Sequence, residues 1–513
     1  MARRLIVPLA LAACSCVWTF QNVEVTPLER RPADSVSVVS PVKAHLADGS
    51  TVVFPDGAEL FHDTVWGAGT RYDLTLRDSA AVTRLPLDSV AGMEVFRTRV
   101  DNATSIVVSL LATGGAALGT GLLAVAIFGS CPTYYADSAG VLALEAEGFS
   151  YSIAPLFEAR DVDRLALAPG PHGAVRLEVR NEALETHDIN HLELLEVRHA
   201  AEETALTDER NAPLVVRDLR APRRATDRLG RDVRALLAAS DGEVYRTDAR
   251  VLDRTRGGDL EDAIEIAFPA PPAADSVALV LRLRNSLLNT ILLYDVMLGD
   301  PGARSLDWVG RDLERVGPAV ELAQWYQRRM GMQIAVWDGR GYRHVAHLKD
   351  TGPIAWKDVA IVLPVREHDS VRVRLSFPAD NWRIDRVELA DRFRHAAPIA
   401  HHLTDVVDAA GRADTAARAS LAAADGRYLE TSPGQRFTAQ FEVGAAPAGD
   451  RRTFFVASQG YYTEWVRRGW LLAPRTTKTF VPSDSALSQA IARWRVTQDT
   501  LEARFMAARI PVR

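Results

Sequence analysis

Ile189-Asn-His-Leu-Glu-Leu194, closing on Arg198-His199-Ala-Ala201, and Ile384-Asp-Arg-Val-Glu-Leu389, closing on Arg394-His395-Ala-Ala397, are the stretches on which the reading of the fold turns. Both alternate apolar and polar residues, the period-two sign of a half-buried strand. Upstream, Val175-Arg-Leu-Glu-Val-Arg180 parallels Val371-Arg-Val-Arg-Leu-Ser376. Downstream, Gly230-Arg231 and Asp241-Gly242 parallel Gly411-Arg412 and Asp425-Gly426. Tyr135-Ala-Asp137-x-x-Gly140 likewise parallels Trp337-Asp338-x-x-Gly341. The offsets run from about 181 to 201 residues in one consistent order, which predicts an internal duplication. The expectation is a mainly β chain with two tandem, related β-sandwich modules at residues 131–300 and 332–480. Between them, at 301–331, Leu313, Val316, Val320, Leu322, Ala323 and Tyr326 fall at helical spacing and predict a linking helix. A last helix is expected within 481–513, where Leu487, Ile491, Trp494, Leu501 and Phe505 form an apolar stripe.

The whole chain has 513 residues, formal net charge −6 and 47% hydrophobic residues. Its 33 Gly and 26 Pro are an ordinary globular share, so disordered and collagen-like readings fall away. Of the 60 basic residues 56 are Arg and 4 are Lys. Without net positive charge or a long basic run, no nucleic-acid partner is expected. Three Cys cannot build a disulfide scaffold.

Toward the N-terminus, Met1-Ala-Arg-Arg4 precedes the apolar run Leu5 to Ala13, which is too short to span a bilayer and has the layout of a secretory signal. The junction Leu11-Ala12-Ala13-Cys14 resembles the lipobox of bacterial lipoproteins. That resemblance implies a signal peptide at 1–13, cleavage before Cys14 and acylation of Cys14. It also implies an envelope location, with the outer membrane favoured because Ser15 and not Asp follows the Cys. Residues 14–36 read as a polar tether. From 37 to 100 come short strands broken by turns, with Asp48-Gly49 between Val42–Leu46 and Val52–Phe54 as a hairpin cue. This series resembles the Sm-like or SH3-like small β-barrels. Within 103–130, Ile106 to Phe128 is an uncharged apolar run containing Gly114, Gly115, Gly119 and Gly121. It reads either as a membrane-associated helical segment or as a helix or hairpin buried in the protein.

No phosphate loop, HExxH, dinucleotide fingerprint or nucleophile elbow occurs in the sequence, and no cofactor is expected. His187-Asp188-Ile-Asn-His191 is a weak metal candidate, since a regular strand would place Glu185, His187 and His191 on one face. The polar-face reading of those residues is the plainer one. The cluster Gly460-Tyr461-Tyr462-Thr-Glu464-Trp465-Val-Arg467-Arg468-Gly-Trp470 combines rings with charged partners. It reads as a ligand surface, with Tyr461, Tyr462, Glu464, Trp465, Arg467 and Trp470 as the contacts, or as packing against the last helix. The function expected from these features is a non-catalytic envelope lipoprotein that binds a protein or glycan partner. One alternative is a glycan hydrolase using carboxylates such as Glu464 or Asp385. Another is a membrane-assembly component that oligomerises through the glycine-rich segment.

Overall fold

A computed structural model of the chain describes residues 35–73, 78–96, 131–138, 141–269, 275–365, 370–445, 447, 449–472, 479–507, 510 and 512. The signal, Cys14, most of the tether and the apolar run 106–128 lie outside the described residues. The architecture is mainly β. Among the described residues no helix is long and apolar enough to cross a membrane.

Seven N-terminal strands, β1 (Val36–Val38) to β7 (Val90–Val95), form one antiparallel sheet. Asp48-Gly49 turns its first hairpin, with Gly49 at φ +84° and the Asp48 carboxylate accepting from the Ser50 amide at 2.9 Å. Where the sequence predicts a small barrel, this sheet stays open in its strand order. Closure requires the two edge strands to pair, and the free edge of β7 is taken instead by a remote strand, β28 (Val466–Arg467), with Val466 opposite Met93.

The duplicated region follows. Its first half-repeat is β8 (Thr133–Ser138), β9 (Val141–Glu147), β10 (Ala159–Leu165), β11 (Ala174–Arg180) and β12 (Glu185–His199). Next come β13 (Thr204–Asp208), β14 (Pro213–Arg220), β15 (Arg224–Asp227), β16 (Glu261–Pro269) and β17 (Ser276–Asn285). The second copy opens with β18 (Met332–Trp337), β19 (Tyr342–Leu348), β20 (Lys357–Pro364), β21 (Ser370–Pro378) and β22 (Trp382–His395). It closes with β23 (Ile399–His401), β24 (Asp405–Asp408), β25 (Leu429–Thr431), β26 (Arg436–Glu442) and β27 (Arg451–Glu464).

The pairing of these strands shows both the repeat and its rearrangement. One sandwich packs the sheet β24-β26-β11-β8-β9 on β10-β27-β12-β23. The other packs β15-β16-β21-β18-β19 on a layer containing β20-β17-β22-β14. The two orders correspond strand for strand. Bulges coincide as well: β12 carries its extra residue at Asn190 and β22 at Asp385, the same place when Ile189 is set on Ile384. Both copies also contain one loop, in which Asp227 and Asp408 cap the amides of Arg231 and Arg412 at 2.9 Å while Gly230 and Gly411 sit at φ +80°.

The modules are not tandem, however, and the expected boundaries 131–300 and 332–480 do not enclose them. Each sandwich joins the first half of one copy to the second half of the other. Val175 of β11 lies opposite Phe441, and Val371 of β21 opposite Phe268. The cores follow this exchange: Leu177, Leu194, Phe441 and Phe454 share one cluster, and Phe268, Leu281, Val373 and Leu389 another. Alternation decides which face of a strand is buried, and says nothing about which equivalent partner lies beside it. The additional strand β13 pairs in parallel with β20 and closes the second layer into a five-stranded barrel.

Helical segments fill the space between these bodies. The expected linking helix is realised as Arg304–Asp307 and Val316–Arg329, joined by a wider turn at Trp308–Asp312. The C-terminal helix Asp484–Ala507 buries Leu487, Ile491, Trp494 and Phe505 against them.

Candidate functional site

A cleft of about 820 Å³ opens where the two sandwiches meet the helical layer. The repeat explains its position. The β8–β9 and β18–β19 hairpins share one register, Thr133 opposite Glu147 and Gln333 opposite His347. The loops that follow are therefore equivalent, and Ser150, Tyr151 and Ile153 face Asp350, Gly352 and Pro353 across the cleft. The helical layer adds Asn289, Leu293, Tyr294, Met297, Leu322, Tyr326 and Gln327. Phe157 and Tyr462 complete an aromatic lining, while Glu209, Arg210, His344, His347 and Lys349 supply polar groups.

The walls are held by buried polar contacts. Asp350 accepts from the Asn285 and Asn381 amides at 2.8 and 2.9 Å, and burial raises its carboxyl above the usual range. Asn285 in turn accepts from the Thr351 amide at 2.6 Å and the Gly352 amide at 3.0 Å. Gly352, at φ +94°, has no room for a side chain, because a Cβ there would lie 2.5 Å from the Glu147 carboxyl. Glu147 accepts from the Ile354 amide at 2.9 Å, and burial pushes it up to about 8. The Lys349 ammonium lies 5.1 Å from the centre of the Tyr151 ring, a cation–π contact at the mouth.

Tyr462 lies opposite His187 on the neighbouring strand, beside a second polar group deeper in the protein. Glu185 and Glu464 are directly opposite on β12 and β27, and both are buried. Burial pushes Glu185 up to about 8 and Glu464 well above the ordinary carboxylate range. Two facing acids in a dry site are stable when they share a proton. Glu185 contacts the His187 ring at 2.7 Å, and Arg467 donates to Glu464 at 2.9 Å while covering the Tyr294 ring at 4.4 Å. Burial lowers His187 to about 3, so its ring is neutral.

The residues singled out in the sequence are distributed as follows. Cys14 lies outside the described residues. Tyr461, Tyr462, Glu464 and Trp465 are buried, so the aromatic segment is a wall and not a display surface. Tyr461 packs edge-on to Tyr428, and Trp465 stacks on His45 at 3.8 Å while donating to Thr186. Arg467 and Trp470 close around Tyr294. Of the six, only Tyr462 lines the cleft. His187 and His191 do not converge: the bulge at Asn190 moves His191 to the opposite face of β12, and no metal-ligand cluster occurs among the described residues. Glu464 and Asp385 belong to different sandwiches, and Asp385 is engaged by Arg282 at 3.1 Å. Sequence reading missed Tyr151, Asn289, Tyr326 and Lys349. They are single residues from four separate segments, and no spacing links them.

No family model and no curated protein sequence matches the chain. Solved structures with partial likeness include the C-terminal CBM6 of LamC, a marine laminarinase from Zobellia galactanivorans, at 8% identity and TM-score 0.14, covering 38% of this chain and 98% of that one. A cycloalternan-forming enzyme from Listeria monocytogenes aligns at 11% identity and TM-score 0.17, over 69% of this chain and 29% of its own. A GH31 alpha-xylosidase from Xanthomonas citri aligns at 9% identity and TM-score 0.14, over 84% of this chain and 38% of its own. The chain thus spans well under half of either enzyme.

Proposed function

We propose that this protein is an envelope lipoprotein, anchored through Cys14, that binds a glycan in the cleft between its sandwiches. The observation that carries the reading is the lining itself. Rings of Tyr151, Phe157, Tyr294, Tyr326 and Tyr462 surround one space with Asn289, Gln327 and His347 among them. Sugar rings present apolar faces and hydroxyl edges, which aromatic faces and amide or imidazole groups complement. The volume falls within the ordinary range for small-ligand sites. Binding without catalysis is the better reading because Asp350, a carboxylate of the wall, is held by two asparagines. Titration calorimetry against an oligosaccharide panel tests it. Wild type should bind a member of the panel, and Tyr326→Ala and Asn289→Ala should each weaken that binding at least tenfold in protein shown by its melting curve to be folded. Unchanged affinity in both variants would remove the cleft as the site.

The anchor is tested separately. An alkyne-tagged fatty acid should label the wild type and leave Cys14→Ser unlabelled.

A further inference from the structure

Lys357 is one of only four lysines in a chain with 56 arginines, and its surroundings are unlike those of a surface cation. It begins β20, and its side chain is only 11% exposed. Its ammonium donates to Asp161 at 2.7 Å and reaches Asp163 at 2.9 Å. Both aspartates belong to β10 and are buried, at 3% and 8% exposure. Asp161 also accepts the Val162 amide at 3.0 Å on the oxygen that faces the lysine. Burial and the neighbouring Asp161 charge push Asp163 up to about 7, so its protonated form is accessible near neutral pH. Burial works against the Lys357 charge, but the two aspartates outweigh it and hold the ammonium above the usual lysine range, so the proton has to be passed within the cluster.

We propose that Lys357 and Asp161 condense spontaneously into an amide cross-link, with Asp163 carrying the protons. The ammonium passes a proton along its hydrogen bond to the Asp163 carboxylate, which hands it on to Asp161 and makes that carboxyl neutral. The amine lone pair then adds to Cγ of Asp161, forming the C–N bond, and the Asp163 carboxylate takes the second proton from the nitrogen. The Val162 amide stabilises the oxygen that gains charge in this step. Collapse breaks one C–O bond, and the oxygen leaves as water with a proton returned by Asp163. In sum, an ammonium and a carboxylate become a neutral amide and one water, with no oxidant or co-reactant. Fixed proximity supplies the drive, since well-oriented intramolecular partners react as though present at about 10⁵–10⁸ M.

The identity of the cation matters. Arginine is not deprotonated in proteins, whereas a buried lysine is a workable nucleophile. In the first copy the corresponding text is Arg160-Asp161-Val162 against Lys357-Asp358-Val359, so only one of the two equivalent places is equipped. The bond would join β10 of one sandwich to β20 of the other and lock their interface.

Peptide mapping of the denatured full-length protein decides the matter. Tandem mass spectrometry should find a branched species in which the Asp161 and Lys357 peptides are joined and lighter than their sum by one water. Lys357→Arg should give the linear peptides only. Asp163→Ala keeps both reacting groups and should form the cross-link at least tenfold more slowly after refolding. Wild-type protein that yields only linear peptides overturns the proposal, whether or not either variant folds. Wild-type rates in Asp163→Ala would overturn the proton-carrying role alone.

Discussion

Glu464 shows how much a single position depends on what lies opposite it. Facing Glu185 across two strands, it is stable in the protonated, shared form, and both carboxyls are raised by burial. A raised carboxyl contributes its stability below the unfolded value of about 4.5 and loses it as the pH climbs toward the folded value, here about 8 for Glu185. The protein should therefore lose stability between pH 5 and pH 8. Glu464→Gln puts an amide donor where the shared proton was. It should unfold in urea with a shallower dependence on pH and be more stable than wild type at pH 8, on the order of 1 kcal/mol. Glu147, also raised to about 8, keeps part of the slope. A variant with the wild-type slope would mean that the pair does not share a proton.

At the scale of elements, the repeated loops are the clearest case of local sequence dictating local structure. Asp227 and Asp408 each cap the turn that follows, and Gly230 and Gly411 accept the left-handed backbone at its tip. Neither glycine has a neighbour where a Cβ would go, so substitution tests conformation and nothing else. Gly411→Ala should cost about 1 kcal/mol by the left-handed penalty, and Gly411→Asn less, both read from thermal or urea unfolding. The same scale shows where local reading stops. Tyr461 to Trp470 reads equally well as a binding surface or a buried wall, because rings beside arginines suit both. Packing of Trp465 on His45 and of Arg467 over Tyr294 decides for the wall. The histidine pair fails for a related reason, since one bulge at Asn190 reverses the face on which His191 stands.

For the whole molecule, the governing fact is that the two sandwiches are exchanged. A fragment comprising residues 332–480 contains one complete sequence repeat but no complete sandwich: β18–β22 would lack β15 to β17, and β24–β27 would lack β8 to β12. Expressed alone, it should show no cooperative unfolding by circular dichroism, and a sharp melt would mean that the halves can pair within a copy. The cleft depends on the same exchange, because it brings the equivalent loops at Ser150 and Asp350 face to face. The amino-acid sequence by itself determined the β character, the duplication, the Asp48-Gly49 hairpin and the apolar stripe of the last helix, all of which rest on period and turn chemistry within a few residues. Only the tertiary structure decided which half-repeats join, that the N-terminal sheet takes its edge strand from Val466–Arg467, and that Tyr151, Asn289, Tyr326 and Tyr462 share a cavity. Strand pairing satisfies the same backbone hydrogen bonds and buries the same faces with either equivalent partner, so nothing local distinguishes them. The choice is made by packing between segments about 200 residues apart.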